Sequence, residues 1–147
     1  MANKRFELND DTISIIEEIG GHMPGGFFIY RAEEPETLIY ANKAVFDIYG
    51  CANQEEFRAL TGFTFRGMVH PEDLSRVEKE INQQVKQTDR HMDFIRYRII
   101  TKTGEIRWID DCGHLENGEL FYVFISDVTE IISEAEKDKL LLLNSVI

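Results

Sequence analysis

The residue types that most often ligate metals or act as nucleophiles are scattered along this chain. Its four histidines are His22, His70, His91 and His114, and no two of them stand at His-x-x-His spacing or beside other metal-ligand types. The two cysteines, Cys51 and Cys112, lie far apart without metal-ligand spacing, and read as free, partly buried thiols of a reducing compartment. Asp110-Asp111 followed by His114 is the remaining group with acid–base potential. Neighbouring strand residues point to opposite faces, however, so the two aspartates cannot both line one cavity, and the pair reads as a solvated strand end. No glycine-rich phosphate loop or nucleophile phrase is present. A small α+β pocket enzyme is the alternative that two converging titratable groups in a cavity would support; the leading expectation is a domain that performs no reaction.

The bulk numbers describe a folded, acidic protein. The length of 147 residues suits one domain with short flanking elements. An apolar share of 43% with ten Phe supports a packed core rather than a disordered tail. The net charge of −11, from 27 acidic and 16 basic residues, argues against nucleic acid or an anionic membrane surface as partner, since both need clustered positive charge. Apolar runs such as Leu120 to Ile125 fall far short of the roughly 20 residues that span a bilayer. Met1 to Glu7 has no apolar stretch after its two basic residues, so no signal peptide is expected and the location is expected to be cytoplasmic.

The elements that would position any site follow from periodicity and punctuation. Asp10 to Ile19 reads as a helix, capped by Asp10 or Asp11, with Ile13, Ile16 and Ile19 on one stripe and Gly20-Gly21 at its end. Strands are expected at Phe27 to Arg31 and Thr37 to Tyr40. Asn42 caps a helix bearing Val45, Phe46, Ile48 and Tyr49, which Gly50 ends, and Asn53 with Glu56 opens another bearing Phe57 and Leu60. Pro71, with Glu72 and Asp73, opens a longer helix whose buried face is Leu74, Val77, Ile81 and Val85. Ile95, Tyr97 and Ile99 alternate with Phe94, Arg96 and Arg98 as a half-buried strand. A second strand runs from Glu105 to Leu115 with Ile106 and Trp108 on one face, and Asn117-Gly118 marks a hairpin into Glu119 to Ser126. That last strand is apolar at nearly every position, which implies cover on both faces, with the first helix as the natural cover. The tail from Asp127 turns helical and ends in a run of leucines, Leu140 to Leu143. The expected architecture is α+β: one five-stranded antiparallel sheet with helices on one face, and a flanking helix at each end.

Four phrases stand along this framework. They are Leu38-Ile39-Tyr40-Ala41-Asn42-Lys43-Ala44, Gly67-Met68-Val69-His70-Pro71-Glu72-Asp73-Leu74, Tyr97-Arg98 with Lys102-Thr103-Gly104-Glu105-Ile106-Arg107-Trp108-Ile109, and Phe124-Ile125-Ser126-Asp127-Val128-Thr129-Glu130. In that order they resemble the PAS (Per-Arnt-Sim) superfamily from about Gly26 to Glu130. The division expected from the resemblance is a flanking helix at 1–25, the PAS domain at 26–130 and a connector at 131–147.

The resemblance implies a sensory module of a bacterial signalling protein, such as a two-component histidine kinase, a diguanylate cyclase or a phosphodiesterase. Such modules bind a small molecule, dimerise, or both, and relay a signal to a covalently linked output domain or a second PAS domain. The alternative within the family is a structural dimerisation domain without a ligand. Candidate pocket residues by strand phase and helix face are Phe28, Tyr30, Val45, Tyr49, Phe57, Met68, Ile95, Tyr97, Trp108 and Val123. Ile13, Ile16, Ile19 and Phe124 are candidates for a homodimer interface. Asp127 and Thr129 resemble the family's Asp-x-Thr junction, with Thr129 able to cap the exit helix and Arg107 as partner of Asp127. Leu140 to Ile147 resembles the opening helix Thr12 to Ile19, consistent with a second such domain following. No cofactor is expected. The Asn-Cys-Arg-Phe-type phrase of flavin-binding members is missing around Gly50-Cys51-Ala52-Asn53. His70 and His91 lie off the apolar stripe that a haem ligand would occupy. The ligand, if any, is an unidentified small molecule.

Overall fold

The computed structural model describes residues 9–132 and 134–146, with side chains through Leu143. The expected start of the chain, Met1 to Glu7, and the final residue of the leucine-rich tail, Ile147, lie outside the described residues. Among the described residues, six helices and five strands run in the order α1 (Asp10–Gly20), β1 (Gly26–Arg31), β2 (Leu38–Ala41), α2 (Lys43–Ile48), α3 (Gln54–Thr61), α4 (Phe65–Met68), α5 (Leu74–Gln87), β3 (Met92–Ile100), β4 (Ile106–Glu116), β5 (Leu120–Asp127) and α6 (Glu134–Val146). The strands form one antiparallel sheet in the order β2-β1-β5-β4-β3. Helices α2 to α5 cover one of its faces. The expected α+β architecture is the observed one.

Local chemistry explains most boundaries. Asn42 and Asn53 cap α2 and α3 by accepting from the amides of Val45 and Glu56. The cap of α1 is Asn9, not Asp10 or Asp11: its side chain and that of Thr12 bond each other's amides. The hairpin residues Asn117 and Gly118 both hold positive φ, 53° and 68°, as a tight turn between right-twisted strands requires. Pro71 does not open α5 as expected: Pro71, Glu72 and Asp73 form a three-residue turn, and the helix begins at Leu74. Asp73 there gives its side chain to the sheet rather than to a cap.

Side-chain alternation sorts the sheet into an inner and an outer face. Phe28, Tyr30, Ile95, Tyr97, Ile99, Ile109, Phe121, Val123 and Ile125 point inward and pack with Val45, Tyr49, Phe57, Phe65, Met68, Val77, Ile81 and Val85 from the helices. Each fully buried aromatic or aliphatic side chain contributes about 1.5–3 kcal/mol. The outer face carries Phe94, Arg96, Trp108, Asp110, Cys112 and Phe124. The expected cover of β5 by α1 is not formed: α1 meets the sheet at its C-terminal end, where Gly20 lies against the Tyr40 hydroxyl, and Phe124 remains 47% exposed.

The open edge of β3 is closed by α5 and the turn before it. Gln84 donates to the Phe94 carbonyl and accepts from its amide at 3.1 and 2.7 Å. Arg76 donates to the Arg96 carbonyl at 3.0 Å, and Asp73 accepts from the Arg98 amide at 2.8 Å. Polar side chains thus stand where a further strand would pair.

Candidate functional site: a buried carboxylate pair and the junction of the exit helix

Asp111 is not a solvated strand end. It occupies an inward position of β4, is 4% exposed, and sits opposite Ile95. On β3, the inward residues flanking Ile95 are Asp93 and Tyr97, each diagonal to Asp111 across the strand pair, where such side chains can meet. The Tyr97 hydroxyl donates to Asp111 Oδ2 at 2.7 Å. Asp93 is 1% exposed, and neither of its carboxylate oxygens has a donor. It lies over Gly113, where a Cβ would come 2.8 Å from Asp93 Oδ2. A side chain at 113 would force the carboxylate aside. Asp110, on the opposite face as strand alternation demands, takes Arg96 Nε and Nη2 at 2.6 and 3.0 Å in a bidentate pair.

Burial dominates the electrostatics. It pushes Asp111 well above the usual carboxylate range, and the neighbouring Asp93 charge adds to this. Burial likewise raises Asp93 to about 6. Two carboxylates this close in an apolar interior resist simultaneous ionisation, and a bond between them requires a proton on one. The Tyr97 phenol is pushed up by burial and then by Asp111.

Tyr30, on the inner face of β1, is 2% exposed. Its ring is sandwiched between Phe65 and Phe121, with centroids at 4.6 and 4.8 Å. Burial raises its pKa, and the charges of Asp111, Glu36, Asp93 and Glu78 raise it further. On its outer side lies a cavity of about 200 Å3 reached past Glu34, Glu36 and Glu78. Burial and then Glu78 raise Glu36 to about 7.

Nine of the ten candidate pocket residues join the main core: Phe28, Tyr30, Val45, Tyr49, Phe57, Met68, Ile95, Tyr97 and Val123. Trp108 does not. It lies on the outer face in a separate cluster with Val128 and Ile132, against which Leu140 of α6 packs. The correction is one of face rather than period, since Ile109 and Asp111 take the inward positions of β4.

The junction residues do come together. The Trp108 amide donates to Thr129 Oγ1 at 2.8 Å, and Thr129 donates to Asp127 Oδ1 through both its amide and its hydroxyl, at 3.0 and 2.6 Å. Arg107 stands 3.8 Å from Asp127 and donates to the Ile48 carbonyl at 2.6 Å. Thr129 therefore pins the end of β4 and does not cap α6, which begins at Glu134. The first turns of α6 fold back onto the sheet through Glu136, which accepts from Arg96 at 2.7 Å. Leu141, Leu142 and Leu143 stay exposed. Of the dimer candidates, Ile13 and Ile16 are half-buried, while Ile19 and Phe124 are exposed.

Sequence and fold comparisons agree with this arrangement. Residues 38–124 match the family described as the PAS fold. The chain belongs to that family. A Rhodobacter sphaeroides LOV protein is similar at TM-score 0.66 and 11% identity, over 84% of this chain and 70% of that one. A PAS domain from Colwellia psychrerythraea gives TM-score 0.64 and 17% identity, over 82% of this chain and 99% of that one. The LOV domain of a blue-light activated histidine kinase from Erythrobacter litoralis gives 0.55 and 18%, over 74% of this chain and all of that one. These identities speak for the fold. The search of curated proteins returned no match.

Tyr30 stacks on Phe65 and Phe121, and Phe28 stacks on Tyr30 and Phe65, so these rings fill that part of the interior. Cys51 is buried and its thiol turns to the Tyr49 carbonyl. His70 Nδ1 accepts from the Glu72 amide and His91 Nδ1 donates to the Val85 carbonyl, each tied to local backbone.

Proposed function

We propose that this PAS domain senses a small molecule in its interior and relays the result through β4 and the Asp127–Thr129 junction to α6, and from there to an output domain of the histidine kinase or cyclase class. One observation carries the reading. β4 holds Asp111 in the core and, three residues earlier, offers the Trp108 amide that Thr129 grips at 2.8 Å. A twist of β4 that accommodates a ligand beside Asp111 moves the anchor of the exit helix by the same rigid element. The signal is then a shift between two packings of α6, docked through Glu136 and Leu140 or released. Replacing Asp127 and Thr129 together by Ala in the full-length protein is expected to abolish ligand control of output while the thermal transition of this domain persists. Output that still responds normally would reject the relay.

A second copy of the domain fits the outer face. Phe94 on β3 and Phe124 on β5, on either side of β4, are 66% and 47% exposed, and Ile15 and Ile19 are exposed on α1. Exposed apolar groups so arranged favour association. The same surface supports the ligand-free alternative, in which the domain acts as a dimerisation unit alone.

A further inference from the structure

We infer that Asp93 and Asp111 form a proton-operated switch inside the sheet: the pair holds one proton in the neutral range, takes up a second in mild acid, and passes the change to the exit helix. The effect on α6 rests on the β4 relay proposed above; the proton site does not. Asp93 pairs with Gly113 across the β3–β4 ladder and Asp111 with Ile95, which sets the two carboxyls diagonally on the inner face. They are 1% and 4% exposed. Neither Asp93 oxygen has a donor, and native interiors rarely leave such atoms unsatisfied. Asp111 takes the Tyr97 hydroxyl at 2.7 Å. A proton on one carboxyl supplies the missing donor, since the two stand within hydrogen-bond reach of each other.

Among the described residues, no cationic side chain acts on either carboxyl. On β5, Ile125 lies opposite Asp111 and Val123 opposite Gly113. The groups of β1 and of the end of α2 that feel Asp111 are the phenols of Tyr30 and Tyr49, and the Cys112 thiol feels both carboxyls. Helix α5 turns Val77, Ile81 and Val85 to the core, while its Arg76 goes to Glu80 and the Arg96 carbonyl and its Glu78 to Arg66. The His91 ring turns to the Val85 carbonyl. On β3, Arg96 is held by Asp110 and Glu136, and Arg98 by Asp73. Two carboxylates in an apolar interior without a cation beside them do not both ionise. Burial raises Asp93 to about 6 and Asp111 well above the usual range. One proton therefore stays on the pair at neutral pH, and the second joins as pH falls through about 6. The buried charge vanishes with it. A net charge in the core favours arrangements of the β3–β4 ladder that bring it toward donors or water, and a neutral pair does not. Trp108, three residues before Asp111 on β4, passes the difference to Thr129 and α6. Mild acid favours the docked helix and neutral pH the released one.

Carboxyl-carbon NMR of the full chain, titrated with pH, reads the pair directly. It is expected to take up one proton in a step near pH 6 and to keep another at pH 7.5. Hydrogen exchange of Glu134–Val146, corrected for the intrinsic pH dependence of amide exchange, reads the helix at pH 5 and pH 7.5. Exchange is expected to be slower at pH 5 by about fivefold or more, the low end of coupling between linked sites. Glu36 titrates in the same range, because burial raises it to about 7. Glu36→Gln is therefore expected to keep the response and Asp93→Asn to abolish it, with circular dichroism confirming that both variants fold. The titration of the unaltered protein decides the proton site even if a variant does not fold. Absence of the step near pH 6, or two ionised carboxylates at pH 7.5, would overturn the inference and leave the β4 relay standing. A step that leaves α6 exchange unmoved would overturn both. A response that survives in Asp93→Asn, or is lost in Glu36→Gln, would assign the proton to another group and overturn the switch.

Discussion

Asp93→Asn should stabilise the protein at neutral pH, against the usual sign of a core substitution. In the folded state burial raises Asp93 from 3.8 to about 6. A carboxyl whose folded pKa lies above its unfolded value stays protonated in the fold after the unfolded chain has ionised. Its contribution is therefore neutral below pH about 4 and becomes a penalty as pH climbs to about 6, where it levels off. At about 1.4 kcal/mol per tenfold, the penalty on the plateau is about 3 kcal/mol. The Asn amide cannot ionise and supplies the donor that Asp111, diagonal to it, lacks beyond Tyr97. Burial also raises Asp111 itself, so removing its neighbour's charge eases that group as well. Urea unfolding of the two proteins at pH 7.5 and pH 4 measures the effect. The expected result is a gain of about 2–3 kcal/mol for Asp93→Asn at pH 7.5 that shrinks to under about 1 kcal/mol at pH 4. A loss of stability at pH 7.5, or an equal gain at both values, would refute the claim that an unpaired buried carboxylate strains this core.

Two further outcomes follow from other contacts. Asp73→Ala leaves the Arg98 guanidinium and amide without the carboxylate that now binds them at 2.6–3.1 Å, and should cost about 3–5 kcal/mol in chemical denaturation; a loss below about 1 kcal/mol would show the pair to be solvated. Phe124→Glu places a charge on the exposed outer face of β5 and should convert a dimer to a monomer in sedimentation velocity with the melting transition retained; an unchanged sedimentation coefficient would remove the outer sheet from the interface.

Much of the framework was legible because it is written locally. The asparagine caps at 42 and 53, the Asn117-Gly118 turn and the alternation of β3 each depend on a few adjacent residues, and each is as expected. The four-residue helix α4 escaped notice because it contributes barely one turn and depends on Thr64 accepting from the Gly67 amide. The site was less legible. Period-two alternation says that Trp108 and Asp111 lie on opposite faces, but not which face meets the core, so the sequence reads Trp108 as a pocket residue and the Asp110-Asp111 pair as a solvated strand end. Aspartate is rarely buried, and nothing adjacent to Asp111 signals otherwise. One local cue existed: Asp93, Ile95 and Tyr97 share the inner face of β3, which already places a carboxylate and a phenol inside. Gly113, whose missing side chain makes room for Asp93, acquires meaning only from the register of β3 on β4.

The coupling of interior to exit helix is tested most directly by hydrogen exchange of α6 when the interior charge is changed. Asp111→Asn alters the core end of β4 without touching Trp108, Thr129 or α6. Altered exchange across Glu134–Val146 and a shifted emission of Trp108, the chain's single tryptophan, are expected relative to the unaltered protein. Identical α6 exchange and identical Trp108 emission in a folded Asp111→Asn protein would contradict the coupling.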